Sequence, residues 1–546
     1  MLAGVGVQSS TLRLVVGRAH QAGETLGMLA SLTRDLPRFL RAPLSHDEAR
    51  ARLLRRLATR EGRLLATIER AIYRHLGSPY ARLLRHAGCE LGDLRALLAR
   101  EGVEGGLRAL AAQGVYVTLD ELKGRRAVVR GSLRFATAED DFNNPLVRPH
   151  LVRFTGGSGG RPTRVPYALA FIDEWACSLA VSLEAHGILN AGFVSWWGVP
   201  FTHLVMFPRI GYPSVGWFYP VHPLPPEVPL AARYLRLLGR AGGCPLPLPI
   251  RCDLDDPGPI VTWIADRLAA GQSLVLWGTP SAGVRIGTEA RVRGRSLDGL
   301  TMILGGEPVT SARIENIVHS GARVIGRYGS VELGGVANDC ATPADVDDMH
   351  VYTERWATVP MQRPVLPGGP VVESLLLTSL SPVAPKIVLN AELGDYARIE
   401  ERDCGCLLGQ LGLRTHISQI RSFEKLTGEG VSFARANVEQ LLEAHLPARF
   451  GGTSLDYQLA EEETATSATR LVLRVNPALP GIDAQTLRDA FLAELGRHDL
   501  VDSYQAAIWR KAGTLQIRRE PPLATRAGKV LPLHLLKRDA PVVRLP

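Results

Sequence analysis

The sequence predicts an α/β protein with a large domain of layered mixed sheets and helices and a small, mobile α+β domain at the C-terminus. Three observations lead to this prediction. Short apolar runs end in glycine-bearing loops, and helical stretches alternate with these runs. That alternation is typical of strands joined by crossover helices. The pattern changes after about residue 421, where a compact series of helix, strand and helix begins.

The composition describes a globular chain without an obvious polyanionic partner. The 546 residues are 46% hydrophobic and 21% charged, which is enough for more than one domain. The net charge is +9, but the basic side chains are interspersed with acidic ones and form no basic face with aromatic residues between them. We therefore expect no nucleic-acid binding. No apolar run reaches the roughly 20 residues of a membrane span.

Cysteine usage favours a cytoplasmic protein. Seven cysteines in a chain of this length do not predict a disulfide framework, and reduced thiols are expected. The N-terminal stretch has no basic leader followed by a clear apolar core, so we expect no export signal. The sequence leaves the oligomeric state open, and a homodimer is compatible with it.

Residues 1–116 are predicted to form an N-terminal helical region. Apolar side chains recur there with a period near 3.6, with arginines between them: Leu53, Leu54, Leu57, Leu64, Leu65 and Ile68. Such a basic amphipathic helix can lie on a membrane surface or pack on its own domain. We favour packing.

Residues 117–421 are predicted to form the large domain. Three segments, 273–280, 300–308 and 322–329, each indicate a buried strand that runs into a glycine-bearing loop. Between the last two, the segment 311–321 predicts a helix that ends at Gly321. In such domains ligands bind beyond the carboxyl ends of the strands.

Residues 422–546 are predicted to form the small domain. Asn437 followed by Gln440 indicates a capped helix, 470–477 indicates a strand, and 482–495 indicates a second helix capped by Asp483.

A glycine-rich segment, RFTGGSGGRPTR, follows a predicted strand of the large domain. Glycines let successive backbone amides approach an anion, and hydroxyl and arginine side chains can add donors. The segment lacks the Gly-Lys-Ser/Thr ending of the common nucleotide loop. It is either a phosphate-binding loop or a plain turn. The candidate residues are Thr155, Gly157, Ser158, Gly160, Arg161 and Thr163.

Three further segments follow in a particular order: RYGSVELGG, NAELGDYARIE and TRAGKVLPLH. With the glycine-rich segment, this series resembles the adenylate-forming superfamily of acyl-CoA synthetases, adenylation domains and luciferases. The chain looks most like the phenylacetate-CoA ligase branch, with which it shares Arg161-Pro162-Thr163, a Gly-Gly-Glu-Pro segment from Gly305, and a Cys-x-Cys. The resemblance extends from about Val117 to the end of the sequence.

The resemblance implies a role for each motif. The loop 155–163 would hold the β- and γ-phosphates of ATP, and Tyr328 would stack on adenine. Asp395 would accept hydrogen bonds from the ribose hydroxyls. Glu332 would hold Mg²⁺, and Lys529 would act on the carboxylate and the α-phosphate as the second catalytic residue. The same motifs add Gly305, Glu307, Gly329 and Arg398 to the nucleotide-binding residues.

The chain departs from the family at three places. The loop has Gly156 and Gly159 where hydroxyl residues are frequent. Val331 precedes Glu332 where the family usually has a serine or threonine, and Ser330 lies one position earlier. The hinge before the small domain, residues 421–425, is also altered. These departures leave nucleotide binding expected and make the second half-reaction less certain.

The reaction implied by the resemblance joins ATP and a carboxylic acid into an acyl-adenylate and passes the acyl group to a thiol, with coenzyme A as the default. One alternative keeps adenylation with an amine, a protein thiol or another nucleophile as acceptor. Another alternative is a catalytically silent homologue that binds nucleotide.

Aromatic residues suggest an apolar or aromatic acid. The candidate segments are 195–203 and 216–222, with Trp277 and Gly305-Gly306. The same residues are also ordinary core material. No basic residue is evidently placed to receive a second carboxylate.

A set of sulfur and imidazole donors could hold a structural zinc ion. Some members of the branch carry a metal on a similar set, here Cys340, His350, Cys404 and Cys406, and a Cys3His site suits Zn²⁺. The alternative is four reduced or neutral side chains packed in the core. Asp339 and Asp403 are lesser ligand candidates.

Overall fold

A computed structural model gives the fold of the chain. It describes residues 25–154, 164–196, 199–219, 227–253, 256–306, 309–364, 371–422, 427–428, 431–432, 440–463, 469–495, 515–524, 530 and 532–535.

The described N-terminal residues form helices, as predicted. They are α1 (25–41), α2 (His46–Ala58), α3 (Arg60–Ile68), a π-helical turn (Glu69–Tyr73), α4 (Pro79–His86), α5 (Leu91–Ala112) and α6 (Leu119–Leu122). Ser45 caps α2 by accepting a hydrogen bond from the Glu48 amide at 3.1 Å. Of the predicted periodic residues, Leu53, Leu64 and Ile68 are buried, whereas Leu54 is 42% exposed.

These helices pack on the large α/β unit, in agreement with the favoured interpretation. Arg52 of α2 donates to Asp173 at 2.7 Å, and Arg63 of α3 donates to Glu174 at 2.6 Å. Both acceptors lie on helix α7 (Leu169–Ala185). One core cluster contains side chains from the N-terminal helices and from the sheet. The boundary at residue 116 stays a prediction.

Two hairpins precede the central sheet, along with a 3-10 turn (Glu139–Phe142): β1 (Val128–Arg130) with β2 (Leu133–Phe135), and β3 (Leu151–Phe154) with β4 (Arg164–Tyr167). The β3–β4 pair is antiparallel, and Phe154 lies opposite Arg164. The glycine-rich segment therefore connects two paired strands and is not a linker between domains.

The large domain is built on a twelve-stranded mixed sheet in the order β13-β14-β15-β16-β12-β11-β10-β9-β8-β5-β6-β7. From β10 to β7 the strands are parallel, and from β10 to β13 they are antiparallel. The strands are β5 (Gly192–Trp196), β6 (Ser214–Tyr219), β7 (Pro249–Arg251), β8 (Leu274–Gly278), β9 (Leu300–Gly305), β10 (Arg323–Ser330), β11 (Gly334–Asp339), β12 (Met349–Val351), β13 (Trp356–Pro364), β14 (Val371–Ser379), β15 (Ala391–Glu401) and β16 (Thr415–Ser422).

Helices cover both faces of the parallel part, which buries its strands as this arrangement requires. The helices are α7, α8 (Phe201–Arg209), α9 (Glu227–Ala241), α10 (Gly258–Ala269), α11 (Pro280–Val292) and α12 (Ser311–Val318), and a short α13 (Leu407–Gln410) follows later. One core cluster contains Val275 and Ile303 with α7 and α8, and a second contains Leu276 and Met302 with α10, α11 and α12. The predicted strands correspond to β8, β9 and β10. The predicted helix α12 ends at Val318, three residues before Gly321, which takes a φ of 92° in the following turn.

The described C-terminal residues form a smaller α+β unit with its own core. A short hairpin comes first, formed by the two-residue strands β17 (Thr427–Gly428) and β18 (Val431–Ser432). Four further strands then pair in the order β21-β20-β19-β22. They are β19 (Tyr457–Glu463), β20 (Thr469–Val475), β21 (Leu515–Arg519) and β22 (Leu533–Leu535), with a π-helical turn (Leu441–His445), a short helix (Leu446–Phe450) and a longer helix (Ala484–Leu495). Asp483 caps the last helix as predicted, accepting from the Thr486 amide at 2.7 Å. Asn437 lies outside the described residues.

The small unit contacts the large one through a buried ion pair. Arg313 of α12 and Glu443 lie 2.7 Å apart and are 1% and 0% exposed. Thr310 also bonds to Glu443, and the Ser281 hydroxyl donates to the Val530 carbonyl at 2.9 Å. The predicted fold class, a large mixed-sheet domain with a small α+β unit, is confirmed.

Candidate functional site

The carboxyl ends of the parallel strands meet at one edge of the sheet. β5 ends at Trp196, β8 at Gly278 and β9 at Gly305, and the adjacent β10 continues into Tyr328 and Gly329. Ligands of open α/β sheets bind at this edge. The structure therefore places Gly305, Tyr328 and Gly329 where the sequence predicted a site.

Glycines are required at two of these positions because the backbone packs too closely for a side chain. A Cβ at Gly305 would collide with the carbonyl of Arg327 on the neighbouring strand. A Cβ at Gly329 would collide with the carbonyl of Gly334. At that point the register of β10 against β11 shifts between Tyr328 and Gly329, and pairing continues beyond this irregularity at Gly329 and Ser330.

Tyr328 and Asp395 are in direct contact. The Tyr328 hydroxyl donates to Asp395 Oδ2 at 3.0 Å, although the residues lie 67 positions apart. Three strands separate β10 from β15 in the sheet, so a flat sheet would hold them about 19 Å apart. The contact therefore requires strong curvature of the sheet. Burial raises the pKa of Tyr328 well above its usual range, and the neighbouring carboxylate adds to this.

Glu332 lies four residues after Tyr328, is buried and is paired with a lysine. Lys123 donates to Glu332 Oε1 at 2.6 Å, and the Glu332 residue is 9% exposed. Burial alone would raise the pKa of Glu332, but the Lys123 ammonium outweighs it, and the net pKa is lowered. The Ser330 side chain also stabilises the carboxylate, so Ser330 supplies a hydroxyl although Val331 occupies the usual position.

A second lysine near Glu332 was not assigned a role from the sequence. Lys386 is 1% exposed and donates to the Glu139 carbonyl at 2.8 Å and to Asn143 Oδ1 at 2.9 Å. Burial lowers the pKa of Lys386 to about 8, against a smaller opposing effect of Glu332. The rarity of lysine in this chain is the one sequence signal that could have singled it out.

Among the described residues, Arg398 makes no recorded contact with Tyr328, Asp395 or Glu332. Its side chain is 62% exposed and lies 2.7 Å from Glu400 Oε2 on the same strand. The following predicted site residues lie outside the described residues: Thr155, Gly157, Ser158, Gly160, Arg161, Thr163, Glu307 and Lys529.

Aromatic side chains from α7, α8 and β8 form a second group near the strand ends. The His203 ring lies 4.2 Å from the Trp277 ring between centroids, and Trp175 lies 5.6 Å from His203 and 6.1 Å from Trp277. Both ring nitrogens of His203 are buried without a hydrogen-bond partner. Burial lowers the pKa of His203 well below its usual range, and the charges of Arg153 and Arg327 add to this, so the ring is neutral at pH 7.

Other members of the predicted aromatic segments are core residues. The Trp196 indole donates to the Cys252 carbonyl at 3.0 Å, and Trp196 and Phe218 belong to the core beneath α10. Trp217 is 0% exposed and packs edge-on against Phe201. Trp197, Gly198 and residues 220–222 lie outside the described residues.

Arg327 is the residue of this edge that sequence reasoning missed. Its guanidinium carbon lies 4.0 Å from the centroid of the Trp277 ring, and Nη2 lies 3.4 Å from the Gly278 carbonyl. Its Nε is buried without a hydrogen-bond partner. Burial lowers the pKa of Arg327 to about 9, and repulsion from Arg153 contributes, with no acidic group opposing them.

The predicted sulfur and imidazole donors do form one cluster. The ligand atoms of Cys340, His350, Cys404 and Cys406 all lie within 4.8 Å of one another. Cys340 follows β11, His350 lies on β12, and the other two lie between β15 and α13, so strand pairing assembles donors from distant parts of the sequence. Neither Asp339 nor Asp403 belongs to this cluster, although Asp348 and His416 form a second group with Cys340.

The geometry of the cluster suits a zinc ion. His350 Nδ1 lies 2.7 Å from the Leu413 carbonyl, which fixes the proton on Nδ1 and leaves Nε2 free to bind a metal. His350 Nε2 lies 3.1 Å from Cys406 Sγ and 3.4 Å from Cys404 Sγ. Hydrogen bonding from Cys340 lowers the pKa of Cys406 to about 7, which favours the thiolate that zinc prefers.

Within the described residues, no helix combines the length and apolarity needed to cross a bilayer.

Comparison with known proteins identifies the fold. No protein-family model matches the chain, and no curated protein matches it significantly. Among solved structures, 2-hydroxyisobutyryl-CoA ligase in the postadenylation state with 2-HIB-AMP is similar, with a TM-score of 0.54, 17% identity and 91% of each chain covered. The same ligase in the thioesterification state gives a TM-score of 0.45 with 17% identity and 88% of each chain covered.

A third similar structure is ATP-bound MatB from Rhodopseudomonas palustris, with a TM-score of 0.41, 12% identity, and 80% of this chain and 75% of that one covered. The likeness at 91% coverage, together with the mixed sheet, shows that the chain has the fold of the adenylate-forming acyl-CoA ligases.

Proposed function

We propose that the chain is an AMP-forming acid ligase, which activates a carboxylic acid with ATP and passes the acyl group to a thiol, with coenzyme A as the default acceptor. The observation that carries the proposal is the contact between Tyr328 and Asp395 at the carboxyl ends of the parallel strands. Tyr328 and Asp395 come from separate motifs of the sequence series, and the fold brings them into contact.

Each residue has a role that its chemistry supports. Tyr328 offers a flat ring for adenine while its hydroxyl orients Asp395. The Asp395 carboxylate can accept hydrogen bonds from both ribose hydroxyls. Glu332, kept ionised by Lys123, would hold Mg²⁺, which would neutralise phosphate charge when bound.

The remaining roles follow from the resemblance. The loop 155–163, which connects the paired strands β3 and β4, would hold the β- and γ-phosphates. Lys529 would neutralise the charge that develops on the carboxylate and α-phosphate oxygens as the carboxylate attacks phosphorus and pyrophosphate leaves. The acyl carbon then accepts the thiol sulfur, and AMP departs.

The small unit would alternate between the two half-reactions as a mobile lid, in keeping with the proposed division at residues 116/117 and 421/422. Arg313 and Glu443 form a buried contact between the two units, and such a pair must separate if the lid turns.

The test is pyrophosphate release with ATP and Mg²⁺ across aryl, fatty and amino acids, with and without coenzyme A. Release that depends on one acid supports adenylation, and a further gain with coenzyme A supports the thiol acceptor. Acid-dependent release with hydroxylamine as trap but without any gain from coenzyme A would point to another acceptor. A chain that binds ATP but releases no pyrophosphate with any acid would support a silent homologue.

We also propose that the Cys/His cluster holds one structural Zn²⁺ per chain. Metal analysis of the purified protein should find one zinc, and Cys404→Ser should release it and lower the melting temperature. Cys252→Ser is the matched control, because Cys252 is buried but belongs to the core beneath α10. A protein purified without chelator that contains no zinc would contradict the proposal.

A further inference from the structure

The guanidinium of Arg327, which is partly buried with its Nε enclosed, has no acidic counterpart in the part of the chain that the structure describes. The effects that lower its pKa are burial and a second arginine, Arg153, and no carboxylate opposes them. Buried charges in proteins are paired or bind ligands, because an uncompensated charge is costly to remove from water. The side chain therefore calls for an anion that is not part of the described chain.

The position of Arg327 connects this anion with the acid side of the cleft. Successive side chains of a strand point to opposite faces, so Arg327 and Tyr328 point in opposite directions. Tyr328 reaches Asp395 on the nucleotide side, whereas the Arg327 guanidinium lies over Trp277. Gly305 ends the neighbouring strand β9, and Gly278 ends β8, one strand further along the sheet. Both lie against the Arg327 side chain.

A second unpartnered polar group, His203, lies near Arg327 on the Trp277 ring. His203 stacks near Trp277 and keeps both ring nitrogens without a partner, although it is 3% exposed. A neutral imidazole donates through one nitrogen and accepts through the other. Trp175 and Trp277 supply apolar walls next to these polar atoms. The combination fits a ligand that has an apolar body and a charged end.

We propose that the acid substrate carries a second anionic group, such as a carboxylate, which the guanidinium of Arg327 binds. The proposal rests on the proposed function and names the substrate class of that same site. The reacting carboxylate faces the nucleotide, and the second anionic group neutralises Arg327 on the other side of the strand end.

The experiment compares matched acids on matched variants. The acids are hexanoate with adipate, and benzoate with terephthalate, so that each pair differs only in the second carboxylate. The enzymes are the wild type, Arg327→Gln and Arg327→Lys. Arg323→Gln serves as the control, because Arg323 lies on the same strand but is exposed and donates to the His186 carbonyl. The readouts are kcat/KM for each acid from pyrophosphate release, KM for ATP, and calorimetric affinity for each acid.

The expected result is a preference of the wild type for the diacid of at least one pair. Arg327→Gln should lower kcat/KM for that diacid by about 30-fold or more, the smaller end of the range for removing one partner of a buried charge pair. The monoacid and the KM for ATP should change little. Arg327→Lys should retain part of the preference, because it keeps the charge without the planar fork.

Two results would overturn the inference without touching the proposed function. One is a wild type that adenylates monoacids best and an Arg327→Gln variant with the same ranking. The other is an Arg327→Gln variant that raises KM for ATP and slows all acids equally, which would assign Arg327 to the nucleotide phosphates. If the wild type releases no pyrophosphate with any acid, the proposed function fails, and calorimetry alone decides. Weaker diacid binding by Arg327→Gln then supports the inference, and equal binding overturns it.

Discussion

Two sides of the end of β10 carry opposite kinds of contact. On the nucleotide side, the Tyr328 hydroxyl has its acceptor in Asp395, and Glu332 has its cation in Lys123. On the side proposed for the acid, Arg327 has no carboxylate and His203 has no hydrogen-bond partner among the described residues. The nucleotide side is held together by its own side chains, whereas the acid side presents polar atoms that a ligand must satisfy. The difference suggests two roles under the proposed function. The side of Tyr328 and Asp395 would be preorganised for the nucleotide, and the side of Arg327 and His203 would select the acid substrate.

The largest effect on the nucleotide side is expected from Lys529→Ala. Loss of a cation that stabilises charge in the transition state should lower acid-dependent pyrophosphate release by about 100- to 1,000-fold or more, with ATP affinity largely kept. The measurements are pyrophosphate release and calorimetric ATP binding, with Lys537→Ala as the control from the same segment. Unchanged release would remove Lys529 from the account.

The next largest effect is expected from Asp395→Ala. The carboxylate would lose its hydrogen bonds to the ribose, each worth about 1.5–3 kcal/mol when one partner is charged. Two such bonds are worth about 3 kcal/mol or more, so the KM for ATP should rise about 100-fold or more. Glu401→Ala changes an exposed carboxylate on the same strand and should leave KM unaltered. An unaltered KM in Asp395→Ala would separate Asp395 from the nucleotide.

A smaller effect, visible in the pH profile, is expected from Lys123→Gln. Lys123 is the largest effect that lowers the pKa of Glu332, and without it burial raises that pKa against only the weaker hydrogen bonds of the backbone and Ser330. The ionised form would then be lost at a higher pH as acid is added. The acidic limb of kcat/KM for MgATP should shift to higher pH, whereas Arg125→Gln on the same loop should not shift it. A limb that stays in place would show that Glu332 does not control it.

The smallest effect is expected from Tyr328→Phe, which keeps the ring and removes only the hydroxyl. One hydrogen bond of about 1 kcal/mol predicts an increase of roughly fivefold in KM for ATP. Tyr328→Ala, which also removes the stacking surface, should cost clearly more. Equal effects of the two variants would mean that the ring does not contact adenine.

Much of the fold follows from local pattern. The strands β8, β9 and β10, the helix α12 and the Asp483 cap were all predicted, because each is a short segment whose apolar run or cap is visible in the sequence. The antiparallel half of the sheet, β13 to β16, was not predicted. These strands pair in chain order, and β16 also pairs with the more distant β12, but we recognised no alternating pattern in their sequences.

The site shows the same division. Tyr328, Glu332 and Asp395 were predicted as site residues because each lies in a short motif. Arg327 was missed although it directly precedes Tyr328, because one arginine among many has no distinguishing pattern. Its meaning depends on which side chains surround it, and Trp277 lies 50 residues away. Lys123 lies 209 residues from Glu332. Unpaired or unusually paired charges become visible only when packing is known.

The most direct test of the central claim follows an oxygen atom. The acid that supports pyrophosphate release would be labelled with ¹⁸O in its carboxylate and incubated with ATP, Mg²⁺ and the acceptor. The account predicts one ¹⁸O in the AMP product, because the carboxylate oxygen bonds to the α-phosphorus and stays with AMP when the acceptor attacks. AMP without label, or label found in inorganic phosphate, would contradict an acyl-adenylate and with it the proposed reaction.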